Sequence, residues 1–121
     1  MQYAILCYDS EAVIESWSKE QDDQVMTRLG AVTKKLADER RLGPVARLMP
    51  TRTARTVRKG QQAMVTDGPF AETKEQLLGF YIVECATPEA VLETAQELAR
   101  ASGSAGAFEI RPLRLFQPGG A

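Results

Sequence analysis

The chain has 121 residues, enough for one domain with a genuine core and too few for two. Its 15 basic and 16 acidic residues leave a net charge of −1, so there is no global electrostatic case for nucleic acid or a membrane surface. Histidine is absent, which excludes Ser-His-Asp and Cys-His nucleophile pairs, His-ligated zinc or iron, and any imidazole general base.

Residues 2–8 are apolar on both alternating faces, with Tyr3, Ile5 and Cys7 on one and Ala4, Leu6 and Tyr8 on the other. That pattern predicts a central strand covered on both sides. The polar stretch 9–16 reads as a loop or a short helical turn. Ser18 with Gln21 three residues on is a capping box, and Val25, Leu29, Val32 and Leu36 form the buried stripe of a helix over 18–41. Arg40 and Arg41 close it, and Gly43-Pro44 is expected to stop it. Trp17, just before the cap, is placed to pack at the helix start.

A short strand is expected over 45–48, then a hairpin with a Thr/Arg-rich first arm over 51–58, a Lys59-Gly60 turn and a return over 61–66. The basic run Arg47, Arg52, Arg55, Arg58, Lys59 has no interleaved aromatic residues, so nucleic acid is not an expected partner. Residues 79–85 form a second apolar strand, with Phe80 and Ile82 opposite Tyr81 and Val83. Thr87-Pro88-Glu89 starts a second helix over 88–101, with Val91, Leu92, Ala95, Leu98 and Ala99 on its apolar face. Ser102 to Gly106 breaks it, a last strand covers 108–116, and the tail is expected to fray. No internal repeat or linker divides the chain, so one domain over 1–121 is expected.

The order is βαββαβ with an inserted hairpin, the plan of an α+β ferredoxin-like domain with both helices on one face of an antiparallel sheet. The other face would be apolar and uncovered, and a second copy packed sheet to sheet would bury it. No apolar run approaches the ~20 residues that span a bilayer, and nothing at the N-terminus resembles a signal peptide, so a cytoplasmic protein without a membrane partner is expected. Cys7 and Cys85, without CxxC spacing, read as free buried thiols of a reducing compartment.

The densest chemistry is the connection that begins Asp67-Gly68-Pro69-Phe70 and carries Glu72, Lys74 and Glu75. Asp67 has two readings: a general base against Phe70 and Pro69, or a carboxylate that only caps the Asp-Gly-Pro turn. Glu72 and Glu75 are placed to orient a substrate amine, and Lys74 to bind an anion, but the same residues suit a solvated loop. The spacing matches no known metal loop, so neither metal nor other cofactor is expected. Tyr3, Tyr8 and Tyr81 are either cavity-lining or core tyrosines. Arg111 is either a clamp for a carboxylate or phosphate, or half of an interstrand ion pair.

The run VTDGPFAETKEQLLGFYIVE resembles the signature of the YCII-related family, in its DGPF-type branch. The start MQYAILCYDSE, the segment PTRTARTVRKG and the ending FEIRPLRLF resemble that branch in the same order, so the likeness covers essentially the whole chain. The resemblance implies a ferredoxin-like fold, a homodimer with packed sheets forming an α/β barrel, and a possible enzyme of unspecified reaction. It also implies an association with extracytoplasmic-function sigma factors. Some members carry a His–Asp pair proposed as catalytic, and this chain has no histidine to supply it. Two functions follow as expectations. One is a small-molecule enzyme or binding protein, its pocket at the dimeric barrel bordered by Asp67, Gly68, Pro69, Phe70, Lys74, Tyr81 and Arg111, with Asp67, Glu72 and Glu75 as candidate catalytic acids. The other is an accessory protein acting through protein contacts, with a sigma factor as the candidate partner.

Overall fold

A computed structural model describes residues 1–120. Strand β1 (Gln2–Asp9) is followed by a short helix α1 (Glu11–Glu15) and the long helix α2 (Lys19–Asp38). Then come β2 (Leu42–Arg47), a 3-10 turn (Thr51–Thr53) and the hairpin strands β3 (Arg55–Val57) and β4 (Val65–Asp67). Strand β5 (Gln76–Glu84), helix α3 (Pro88–Ser102) and strand β6 (Ala107–Pro112) complete the chain. The main sheet has the order β2-β5-β1-β6, antiparallel throughout, and β3 and β4 pair only with each other. This is the ferredoxin-like α+β arrangement, with the hairpin inserted between its second and third strands.

The doubly apolar strand takes the centre. Tyr3 and Ile5 of β1 and Val83 of β5 meet Leu36 of α2 and Val91 and Leu98 of α3 in one buried cluster. Each fully buried side chain such as Ile5 or Leu98 stabilises the fold by about 1.5–3 kcal/mol. Ala4 and Ile82, in register with each other, are also buried but lie outside that cluster, on the face turned away from the helices. Leu6 and Phe80, likewise paired, continue that face half-buried, and the alternation along β1 puts Tyr8 on it as well.

Helix α2 begins as read, with the Ser18–Gln21 capping box closed in both directions. Its end differs. The helix stops at Asp38, and Arg40 takes a positive φ of 58° where a glycine was the expected terminator. Gly43-Pro44 instead lies inside β2, at a bulge, so that strand starts at Leu42. Helix α3 buries Val91, Thr94, Ala95, Leu98 and Ala101, while Leu92 is 53% exposed and Ala99 is also exposed. The buried stripe therefore runs through Thr94. That residue comes inside because its hydroxyl is used twice, donating to Ala90 O (3.1 Å) and accepting from Arg41 (2.9 Å). The last strand ends at Pro112, four residues short of the sequence expectation, with one further backbone bond from Leu113 N to Gln2 O (2.9 Å) at the start of β1. Cys7 and Cys85 are both free, at opposite ends of the β1–β5 ladder; Cys7 is half-buried rather than fully buried. No helix of the described residues is long and apolar enough to cross a membrane.

Candidate functional site

The end of the sheet where β1 finishes, β5 begins and β2 finishes is the most elaborated part of the molecule. Asp9 closes β1, and its Oδ1 accepts the Ser10 N–H at 2.9 Å. Ser10 then caps α1, its Oγ accepting from Val13 N. Opposite stands Gly106, the lead-in to β6. A Cβ there would lie 2.0 Å from Tyr8 O and 2.7 Å from Asp9 Cγ, so only glycine lets this segment press against the strand end. The result is a carboxylate only 6% exposed. Among the described residues no hydrogen bond reaches its second oxygen. Every fully enclosed side-chain oxygen or nitrogen among the described residues has a partner, so Oδ2 keeps some exposure.

Asp9 lines a cavity of about 120 Å³ between α2 and the sheet. Its floor includes Cys7, Val45 and Tyr81; Val25, Met26 and Leu29 of α2 cover it, and Ile14 and Trp17 close one side. The lining is mostly apolar, with Asp9, Asp22 and Arg47 as its charged members. Arg47 straps the mouth, reaching from the end of β2 to Asp22 Oδ1 (3.0 Å) and Met26 Sδ (3.3 Å). Burial, and after it the negative charge of Asp9, push the Cys7 thiol up to about 11, against a smaller lowering by Arg47. Burial likewise raises the Tyr81 phenol, with Cys7 adding to the rise and Arg47 opposing it. Both groups therefore sit as neutral donors at physiological pH, and Cys7 is no thiolate nucleophile. A more open cleft of about 310 Å³ adjoins the cavity, sharing Ile14, Arg47 and Leu78 with it and adding Glu11, Leu48 and Met49. Glu11 fixes its wall by accepting from Thr51 N at 2.7 Å.

The residues singled out from sequence fall in three places. Tyr81 lines the cavity. Asp67, at the end of β4, has a side chain 94% exposed and reaches across the hairpin to Arg55 Nε at 3.4 Å. The turn after it is held by other groups: Gly68 N donates to Ala54 O (2.7 Å), and Thr56 Oγ1 donates to Gly68 O (2.8 Å). Gly68 has φ +90°, and Gly68 and Pro69 are half-buried. Phe70 is 75% exposed, and Glu72, Lys74 and Glu75 are exposed with it. Arg111 stands exposed on β6, in register with Ala4 and so on the face away from the helices, and makes no ion pair among the described residues. Asp67, Tyr81 and Arg111 are thus not gathered at one point. The loop nevertheless returns to the cavity end: Gln76 accepts from Glu11 N (2.9 Å) and donates to Thr73 O (2.6 Å), tying 73–76 to the first turn of α1.

Sequence reasoning missed Asp9, Asp22 and Arg47 as members of a site. Asp9 opens the stretch read as a loop, Arg47 belongs to the basic run, and Asp22 is an acid in the first turn of α2. The available signal was Asp9-Ser10 directly after a central strand, a carboxylate and a cap at the point where a strand hands over to a helix.

The model of the YCII-related domain matches residues 1–117. The chain belongs to the YCII-related family. It is also similar to an uncharacterized protein of Rhizobium meliloti (strain 1021), 52% identical over 120 residues that cover 98% of this chain and 97% of the relative. For this YCII-related chain the family match fixes kinship and fold, and the chemistry has to be argued from the cavity.

Proposed function

We propose that this YCII-related protein, of the DGPF-type branch, binds a small molecule in the cavity at the Asp9 end of the sheet and works in the cytoplasm as a homodimer. The observation that carries the reading is Asp9: a carboxylate 6% exposed, with one oxygen unpaired among the described residues, on the wall of a mostly apolar cavity. That oxygen keeps only slight exposure, and a ligand donor reaching it from the cavity would complete its hydrogen bonding. The loop from Asp67 to Glu75 lines neither space; tied to α1 through Gln76, it contributes, in this reading, its acids and Lys74 to the approach path. Binding is favoured over covalent catalysis because the cavity offers a protonated Cys7 thiol and no histidine to deprotonate it. The dimer is supported by Leu6 and Phe80, apolar and only half-buried on the face away from the helices, beside Ala4 and Ile82, which the chain buries by itself.

Trp17 is the single tryptophan of the chain and lines the cavity, so its indole N–H resonance reports on occupancy. Titrating a set of small fragments should move that resonance saturably for some of them. A set that moves no cavity resonance at millimolar concentration would refute the reading.

One feature favours a second reading, an accessory protein acting through protein contacts, with a sigma factor as the partner the resemblance implies. The β3–β4 hairpin carries Val57, Met64, Val65 and Phe70 at 56–75% exposure, away from the core. If this reading holds, Phe70→Ala should abolish partner capture while leaving every Trp17 titration unchanged.

A further inference from the structure

Building on the binding reading above, we infer that the ligand is a small primary amine, its ammonium on Asp9 Oδ2 and its short apolar body in the cavity under α2. Three properties of the cavity select this chemistry. The first is charge: the lining holds Asp9 and Asp22 against Arg47, and Arg47 is already bonded to Asp22, so the one uncommitted charge is the negative one on Asp9. Carboxylates and phosphates would meet Asp9 with no free cation to offset it. The rise of the Cys7 thiol to about 11, caused first by burial and then by Asp9, reports the same penalty on a second negative charge. The Tyr81 phenol, on the same lining, is raised as well, first by burial and then by Cys7.

The second property is the number of ligands on offer. Among the described residues no three His, Cys, Asp or Glu side chains gather as a metal would need, and hard cations demand several oxygens. An ammonium needs only one carboxylate and hydrogen-bond acceptors, and Ser102, whose hydroxyl donates to Ala99 O (2.9 Å), and Ser104 belong to the same lining. The third is shape. A cavity of about 120 Å³ is slightly smaller than the ~150 Å³ apolar cavity known to admit benzene, which sets an enclosed body of roughly four to six carbons. Trp17 and Tyr81 supply aromatic faces, which attract ammonium ions and pack against alkyl or aryl groups alike.

The test is a titration of the full chain, followed by the Trp17 indole resonance, with n-butylamine and benzylamine against benzyl alcohol and phenylacetate. The amines should bind at least tenfold more tightly than benzyl alcohol, and phenylacetate should not bind. Asp9→Asn keeps the oxygen that accepts from Ser10 N and removes the charge, so it should weaken the amines at least tenfold and leave benzyl alcohol unaffected. Equal binding of benzylamine and benzyl alcohol, or undiminished amine binding by a folded Asp9→Asn, overturns the assignment. Should Asp9→Asn fail to fold, the selectivity of the wild-type chain decides by itself. Binding of phenylacetate or other fragments without the amines sinks the amine inference alone and leaves the small-molecule reading standing. Silence from every probe removes both.

Discussion

Gly106→Ala is the sharpest test of how this site is built. The added Cβ would stand 2.0 Å from Tyr8 O, 2.7 Å from Asp9 Cγ and 2.9 Å from Asp9 Cα. Van der Waals contact requires about 3.2–3.4 Å, so either the end of β1 or the lead-in to β6 must retreat by about 1 Å, and interiors are too close-packed to absorb that freely. Backbone rather than a flexible side-chain tip lies in the way, and overpacking of this kind costs about 1–3 kcal/mol. For a domain of this size that is a fall in Tm of roughly 4–15 °C. Because Asp9 is one of the groups displaced, any titration seen at Trp17 should weaken together with the stability. Gly30→Ala is the matched control: that position is in α2 with nothing within 4 Å of the new Cβ, and the helix should gain about 1 kcal/mol. Thermal unfolding followed by circular dichroism on both variants decides. If Gly106→Ala melts with or above the wild type, the tight closure of Asp9 by Gly106 is wrong.

Three other outcomes are expected. Thr94→Val deletes a buried hydroxyl that accepts from Arg41 at 2.9 Å, and urea unfolding should show a loss of about 1–2 kcal/mol at unchanged m. The Cys7 thiol keeps its proton when folded up to about pH 11 but ionises near 9.0 when unfolded, so stability should fall as pH rises through 9–11; Cys7→Ser should flatten that slope, and mass spectrometry should find Cys7 unalkylated at pH 7.5 under native conditions. Phe80→Asp, on the sheet face away from the helices and in register with Leu6, should convert a sedimenting dimer to a folded monomer, and a wild type that sediments as a monomer at micromolar concentration contradicts the dimer directly.

The fold was legible because its strongest determinants are local patterns. The doubly apolar 2–8 segment, the Ser18–Gln21 box and the Thr87-Pro88 start each appear in the structure as read. The failures came where two local rules competed. Gly43-Pro44 looked like a helix stop, but Arg40 turned the chain three residues earlier and freed the pair to form a bulge in β2. Thr94 was not among the residues of the expected apolar face, and its two hydrogen bonds made burial tolerable. The site was less legible for a different reason. Asp9, Asp22 and Arg47 are far apart along the chain and meet only when β1, α2 and β2 converge, whereas the loop from Asp67 to Glu75 concentrates its polar residues within nine positions and draws the eye.

The two outer strands of the main sheet each contain a proline, Pro44 in β2 and Pro112 in β6, and β2 is bulged beside its own. A proline offers no amide hydrogen, so neither border can serve as a clean template for another strand. Growth of the sheet sideways into ribbons or fibrils is thereby frustrated at both margins. The face-to-face pair proposed above is finite by contrast: once one broad side is covered, nothing remains to propagate.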